Sequence, residues 1–289
     1  MTITVVFALA AAFANAVNIM TQHSASVAAP ARQGGWRLAL YLLRNPLWLF
    51  GTAAALGGFV FYAIALHDGQ LAVVQPLLIS ELVFTLVLRR VFVRQHVVGI
   101  AWASAAAIGI ALAVFLVAAD PHGGISSPDA QAWVLTVVVA GAVIAAAVAA
   151  TWRGSPVRKA ALFGTAAALT WALCATFIKA ATDTLASFGV LGMFLHWPVY
   201  ALAVTGLTGV VVQQAALHVG PLSVSQPLIV VVDPVASIFL SVWLFDEQFS
   251  HSPTRLFIAA VAFIVMAAGV VELSRTTPIH LEASRPARL

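Results

Sequence analysis

Two carboxylates stand deep inside long apolar runs: Glu81 within residues 71–93 and Asp233 within residues 222–245. An ionised side chain at the centre of a bilayer costs at least ~2.5–3.5 kcal/mol on insertion scales. Each acid therefore faces a cavity, pairs with a partner, or is held neutral. A carboxyl that takes up and releases a proton or cation while access alternates between two faces is a coupling device. The competing reading is a buried acid hydrogen-bonded to the next helix. Asp233 has company, because Gln226, Asp233, Ser237 and Ser241 are spaced seven, four and four residues apart and share one helix face. Asp233 also precedes Pro234, which suits a kink. Glu81 has Thr85 four residues on.

Amides supply the other polar groups in apolar surroundings. Asn15, Asn18 and Gln22 recur at helical spacing in the first run, and Gln213 and Gln214 lie in a later one. Such amides either join helices or contact a solute. Packing is the preferred reading for Thr170, Trp171, Thr176 and the lone Cys174. Lys179, four residues before Asp183, reads as a snorkelling or locally paired lysine. His67 and His218 read as caps on helix C-termini. The eight histidines form no ligand-spaced cluster, and no HExxH, GxSxG, phosphate-loop or dinucleotide pattern occurs. No enzyme, cofactor or bound metal is expected.

The elements that must position these groups repeat. Residues 65–77 read ALHDGQLAVVQPL and residues 216–228 read ALHVGPLSVSQPL, with nine identities in thirteen positions at an offset of 151. Gly58 and Gly209 match at the same offset. Gly69 and Gly220 suit tight turns between apolar runs. Pro76 and Pro227 fall in the first turns of the following helices, remove a backbone donor and free the carbonyls of Ala72 and Ser223. In hydrocarbon such irregular backbone must face protein or a water-filled cavity. Gln75 and Gln226, beside the prolines, offer amides at that depth. These four, Gly69, Gly220, Pro76 and Pro227, are the candidate hinges.

The chain has 289 residues, 62% hydrophobic and 8% charged, with a mean hydropathy of +1.01. Soluble domains carry roughly 25% charged residues, so this chain meets lipid. Its net charge of +4 forms no patch that would favour nucleic acid. A span needs ~20 apolar residues, and nine candidates occur, near 3–22, 46–66, 71–93, 97–118, 131–151, 160–181, 197–217, 222–245 and 253–273. Residues 23–45 and 182–196 are long enough for short surface helices, and a tenth span within 23–45 is the open alternative. The first run lacks a positive leader and is expected to be a retained span. With the N-terminus outside, inward segments carry 12 Lys and Arg residues and outward segments only Lys179 and Arg255. This predicts a multi-pass protein of the cytoplasmic membrane, N-terminus outside and C-terminus inside. The organisation expected is a first repeat over 1–118, a linking fifth helix and loops over 119–158, a second repeat over 159–273, and a cytoplasmic tail over 274–289. With one helix between them, the two sets of four enter the membrane from opposite sides, as in many secondary transporters.

The segments GQLAVVQPL at 69–77, GPLSVSQPL at 220–228 and VVDPVASIFLSVWLFDE at 231–247 resemble those of the drug/metabolite transporter superfamily, and the Gln22-His23 end of the first span is similar in position to polar residues there. That resemblance implies an all-α bundle of inverted repeats that moves a small solute by alternating access. Its EamA-like branch has ten helices, and nine spans are also similar to the NIPA-like magnesium-transporter branch. The expectation is a permease for a small molecule or ion, with Glu81, Asp233, Gln75, Gln226, Asn15, Asn18, Gln213 and Gln214 on the substrate or coupling-ion path. A divalent-cation transporter is the second reading, since Mg²⁺ keeps several waters and needs few protein ligands. A non-transporting membrane partner is the third, and it predicts acids packed in a dry interface. Membrane lipids are the expected surroundings, with a homodimer left open.

Overall fold

The computed structural model describes residues 2–27, 43–92, 98–125 and 128–276. Ten α-helices dominate it: α1 (Thr2–Val27), α2 (Pro46–Asp68), α3 (Leu71–Leu78), α4 (Ser80–Phe92), α5 (Gly99–Ala119), α6 (Ala130–Ala149), α7 (Pro156–Leu195), α8 (Pro198–Val219), α9 (Leu222–Phe245) and α10 (Pro253–Thr276). Among the described residues nine segments are long and apolar enough to cross a membrane, with α3 and α4 forming one of them over Leu71–Phe92. The protein is an α-helical, multi-pass membrane protein. Of residues 23–45, the candidate for a surface helix or a tenth span, 23–27 continue α1 and 28–42 lie outside the described residues, as does the tail after Thr276.

Local chemistry explains the helix ends. Asn45 caps α2, its Oδ1 accepting from Leu47 N at 2.9 Å and Trp48 N at 3.3 Å ahead of Pro46. Ser155 caps α7 through Arg158 N. Asp120 and Asp246 close α5 and α9 in the left-handed region, at φ 46° and 52°. Two-residue strands follow, β1 (His122–Gly123) and β2 (Glu247–Gln248), paired antiparallel with His122 opposite Gln248.

Residues 182–196 do not form the separate surface helix expected of them. They continue α7, which breaks at Gly189, where φ is 70°. Nothing between Thr182 and Phe188 stops a helix, and the Thr182 and Thr184 hydroxyls fold back onto carbonyls of the preceding turn. Gly189 is the first position that takes positive φ without strain.

Packing follows a paired pattern. α1 lies along α2, and α7 along α8; α1 also packs on α3 and α4, and α7 on α9. α3 meets α9, and α5 meets α10. Small residues allow the close approaches. A side chain at Gly58 would meet Ala14 Cβ at 3.1 Å, and one at Gly209 would meet the Trp171 ring at 3.2 Å. The core centres on α3, whose residues from Leu71 to Leu77 are all buried, with Leu66, Phe177, Phe245 and Met266 around it. α6 packs mainly on α7 and buries only Trp133 and Thr136.

The two glycine turns lie far apart. Lys179 of α7 donates to the carbonyl of Gly69. Gly220 abuts the Pro156 carbonyl at the start of the same helix. The 23 residues between correspond to ~34 Å at 1.5 Å per residue, close to the hydrocarbon thickness of a bilayer.

Candidate functional site

A cavity of about 470 Å³ opens between the two intramembrane acids. Its wall takes Asn15 from α1, Tyr62 from α2, Gln75 from α3, Glu81 from α4, Trp171 and Cys174 from α7, Gln213 from α8, and Asp233 from α9. None of its lining comes from α5, α6 or α10. The third span tightens locally beside it, with Ile79 still in the helical region. α3 ends at Leu78 and α4 begins at Ser80, and the Ile79 and Leu82 N–H groups bond only three residues back, to Pro76 and Ile79. Pro76 sits in the second turn of α3 rather than the first, and the tightened turn falls just after it. Ser80 Oγ takes up the Leu77 carbonyl at 2.6 Å. The irregular backbone thus lies against a cavity, as hydrocarbon demands. Pro227 also occupies a second turn, yet α9 stays helical through both Pro227 and Pro234.

The cavity's polar groups are held in place by partners. Gln75 Nε2 donates to the Tyr62 hydroxyl at 2.8 Å. Trp171 Nε1 donates to Gln213 Oε1 at 2.7 Å. Ser237 Oγ donates to Asp233 Oδ1 at 3.2 Å. Asn15 and Glu81 face the same cavity. Ser237 and Ser241 are fully buried, so the stripe through Asp233 faces inward.

Of the eight residues expected on the path, Asn15, Gln75, Glu81, Gln213 and Asp233 line this cavity. Gln214 does not. It is exposed on the outer face of α8, ~100° around the helix from Gln213. Gln226 does not line it either, because α9 turns the neighbouring Ser225 inward against Gly164, with 3.1 Å from the Ser225 carbonyl to a Cβ placed at Gly164. Asn18 lies one turn beyond Asn15, outside the wall. Trp171 is a wall residue rather than packing alone, whereas Thr170 and Thr176 are buried and bonded to their own helix. Cys174 is buried yet also borders the cavity. Tyr62 escaped the sequence reading because an aromatic residue in an apolar run looks like any packing residue.

A second polar cluster closes the Gly69 end. Glu247, 2% exposed, accepts from the Leu71 and Ala72 N–H groups at 2.7 and 3.0 Å. A carboxylate on the unpaired N–H groups of a helix start is well placed. Lys179 Nζ donates to the Leu66 and Gly69 carbonyls at 3.1 and 2.8 Å, stands 3.9 Å from Glu247 and lies over the Phe245 ring at 5.4 Å. Lys179 therefore neither snorkels nor pairs with Asp183. Asp183 instead bonds His67 Nδ1 at 2.9 Å, so His67 is a side-chain partner rather than a simple cap. Thr4 Oγ1 donates to the Asp68 carbonyl at 3.2 Å. Nearby, Arg255 pairs with the exposed Asp120 at 3.3 Å.

No group of three or more candidate metal-ligating side chains occurs among the described residues. A Corynebacterium glutamicum protein described as uncharacterized is 28% identical over 285 residues, spanning 97% of this chain and 98% of its own length. No protein-family profile and no solved structure matches the chain.

Proposed function

We propose that this protein is a secondary-active transporter that carries a small solute across the cytoplasmic membrane by alternating access, coupled to protons or cations through Glu81 and Asp233. The observation that carries this reading is the cavity itself: space for a small solute, lined with carboxylates, amides and a phenol, inside a chain that otherwise presents lipid-facing carbon. Sites of this kind lie between repeats and beside irregular helices, and the third span has its local irregularity, after Pro76, where the cavity begins.

The two-repeat organisation is part of the proposal. Spans one to four pair with spans six to nine at an offset of 151. The contacts of α1 with α2, α3 and α4 correspond to those of α7 with α8 and α9. The contacts of α3 with α9 and of α5 with α10 join equivalent spans across the halves. Tyr62 and Gln213, separated by the same offset, both line the cavity. The ~34 Å between the Gly69 and Gly220 turns is what inversion of one repeat would give. The distribution of Lys and Arg then assigns the Gly69 end to the outside and the Gly220 end to the cytoplasm. The segments around both turns favour membership of the drug/metabolite transporter superfamily.

The cavity favours transport over a packed, non-transporting partner, which needs a dry interface between the halves. Within the transport reading, a Mg²⁺ path is the second possibility, since two carboxylates and several amides suit a hydrated ion. Gradient-driven flux in proteoliposomes tests the proposal, with a metabolite library and Mg²⁺ as separate arms. Uptake that depends on a gradient and is lost in Glu81→Gln or Asp233→Asn is the expected result. Normal coupled uptake in both variants removes the assigned mechanism.

A further inference from the structure

Beyond the cavity, α1 and α4, which pack together, carry polar groups that find no partner among the described residues. The two helices run in the same direction: Thr4 lies against Gly69 at one end, Phe13 packs edge-on against Phe84 at 5.6 Å, and Asn15 and Glu81 line the same cavity. One helical turn further on stand Asn18 and Thr85. Thr85 is 8% exposed, and neither its hydroxyl nor Asn18 Oδ1, both buried, finds a hydrogen-bond partner among the described residues. Other threonines in the spans, Thr52, Thr136, Thr170 and Thr205, each donate to the carbonyl four residues back. Thr85, on the helix face of Glu81 and one turn beyond it, forgoes that bond. Buried polar groups of this kind are satisfied by ordered water.

The seam has a direction. Glu81, Thr85 and Arg89 are spaced four residues apart on α4, and Asn15, Asn18 and Gln22 follow at helical spacing on α1, so the polar line runs from the cavity toward the Gly220 end. The stripe from Asp233 runs the opposite way and is closed. Ser237 donates to Asp233, and Ser241 Oγ donates to the Ile238 carbonyl at 2.8 Å, both hydroxyls fully buried.

We propose that the α1–α4 seam is a water-filled proton path joining Glu81 to the Gly220 face, with Asn18 and Thr85 holding its water one turn from the carboxyl. This deepens the reading of Glu81 as a coupling group and rests on it. A water beside Glu81 gives a proton to a carboxylate oxygen; its O–H bond breaks as the carboxyl O–H forms. The next water restores the proton, and the net supply is the aqueous phase at that face. Among the described residues, the other titratable and charged groups are Tyr62 on α2, Cys174 on α7 and Asp233 on α9, which share the cavity with Glu81, and Arg89 on α4 itself; α1 brings the amides Asn15, Asn18 and Gln22.

The test uses the full chain with Cys174→Ser as background. A membrane-impermeant methanethiosulfonate reagent is applied from either side of oriented vesicles to Thr85→Cys and Ser237→Cys. The proposal expects Thr85→Cys to react from the Gly220 face alone and Ser237→Cys to be protected. Protection of Thr85→Cys from both faces overturns it. In parallel, hydrogen–deuterium exchange of the Glu81 carboxyl is followed by infrared spectroscopy in acid, its band assigned by loss in Glu81→Gln. Exchange should slow by about tenfold in Thr85→Val, as expected for one lost hydrogen-bonded relay, and stay near the original rate in Thr85→Ser. An unchanged rate in Thr85→Val also overturns the path. Neither readout needs a transported solute, so absence of flux would sink the transporter reading without altering these outcomes.

Discussion

The Gly69 and Gly220 turns share their sequence but not their surroundings. Around Gly69, two charged side chains from distant parts of the chain grip the backbone, Glu247 on N–H groups and Lys179 on carbonyls. Around Gly220 the nearest neighbours of an added side chain are the Pro156 carbonyl and the Ala160 methyl. The positions 151 residues before Lys179 and Glu247 hold Ala28 and His96, so the clamp has no sequence counterpart in the other half. Duplication fixes where a chain can turn; the residues that later accumulate around each turn decide how firmly that end is closed. In the transporter reading, the Glu247 and Lys179 clamp is what closes the Gly69 end.

Breaking the clamp should have the largest effect. Glu247→Ala leaves Lys179 and two N–H groups buried without their partner, a loss of roughly 3–5 kcal/mol, read as a large fall in the detergent melting temperature. The milder Glu247→Gln should keep the fold and raise the reactivity of Gln75→Cys, in the Cys174→Ser background, from the Gly69 side. If that reactivity stays unchanged, the clamp does not close this end. Gly220→Ala comes next, at ~1–3 kcal/mol, because its methyl would press on fixed backbone. Gly69→Ala should cost a similar ~1–3 kcal/mol, since its methyl would meet the Ala65 carbonyl at 2.9 Å and the buried, hydrogen-bonded Thr4 side chain; an unchanged melting temperature in either variant would show that the turn has room to give. Tyr62→Phe, which strips Gln75 of its acceptor, should destabilise by ~0.5–1.5 kcal/mol. Arg255→Ala at the exposed Asp120 pair should change stability by no more than ~1 kcal/mol.

The sequence made the spans and the cavity acids readable for one physical reason: a carboxylate or amide inside hydrocarbon is costly enough to require a purpose. Asn15, Gln75, Glu81, Gln213 and Asp233 were found that way, and they line one cavity. Gln214 shows the limit. Two adjacent glutamines look alike, and only the rotation of α8 against α7 decides which of them enters the wall. Gln226 fails for the same reason, displaced by the close approach of Ser225 to Gly164. Lys179 and Glu247 lie far apart in the chain with no shared periodicity, so their meeting depends on how α7 and the α9–α10 turn pack. Gly189 was legible as a glycine but not as the place where α7 breaks, because the preceding residues are competent in either a helix or a surface loop.

The account centres on one turn for each face of the membrane. Sided thiol labelling of His67→Cys and His218→Cys, each exposed and each in the Cys174→Ser background, tests it most directly. The account predicts that an impermeant reagent modifies His67→Cys only from outside and His218→Cys only from the cytoplasmic side. Modification of both from the same side would contradict the inverted arrangement and the alternating-access mechanism built on it.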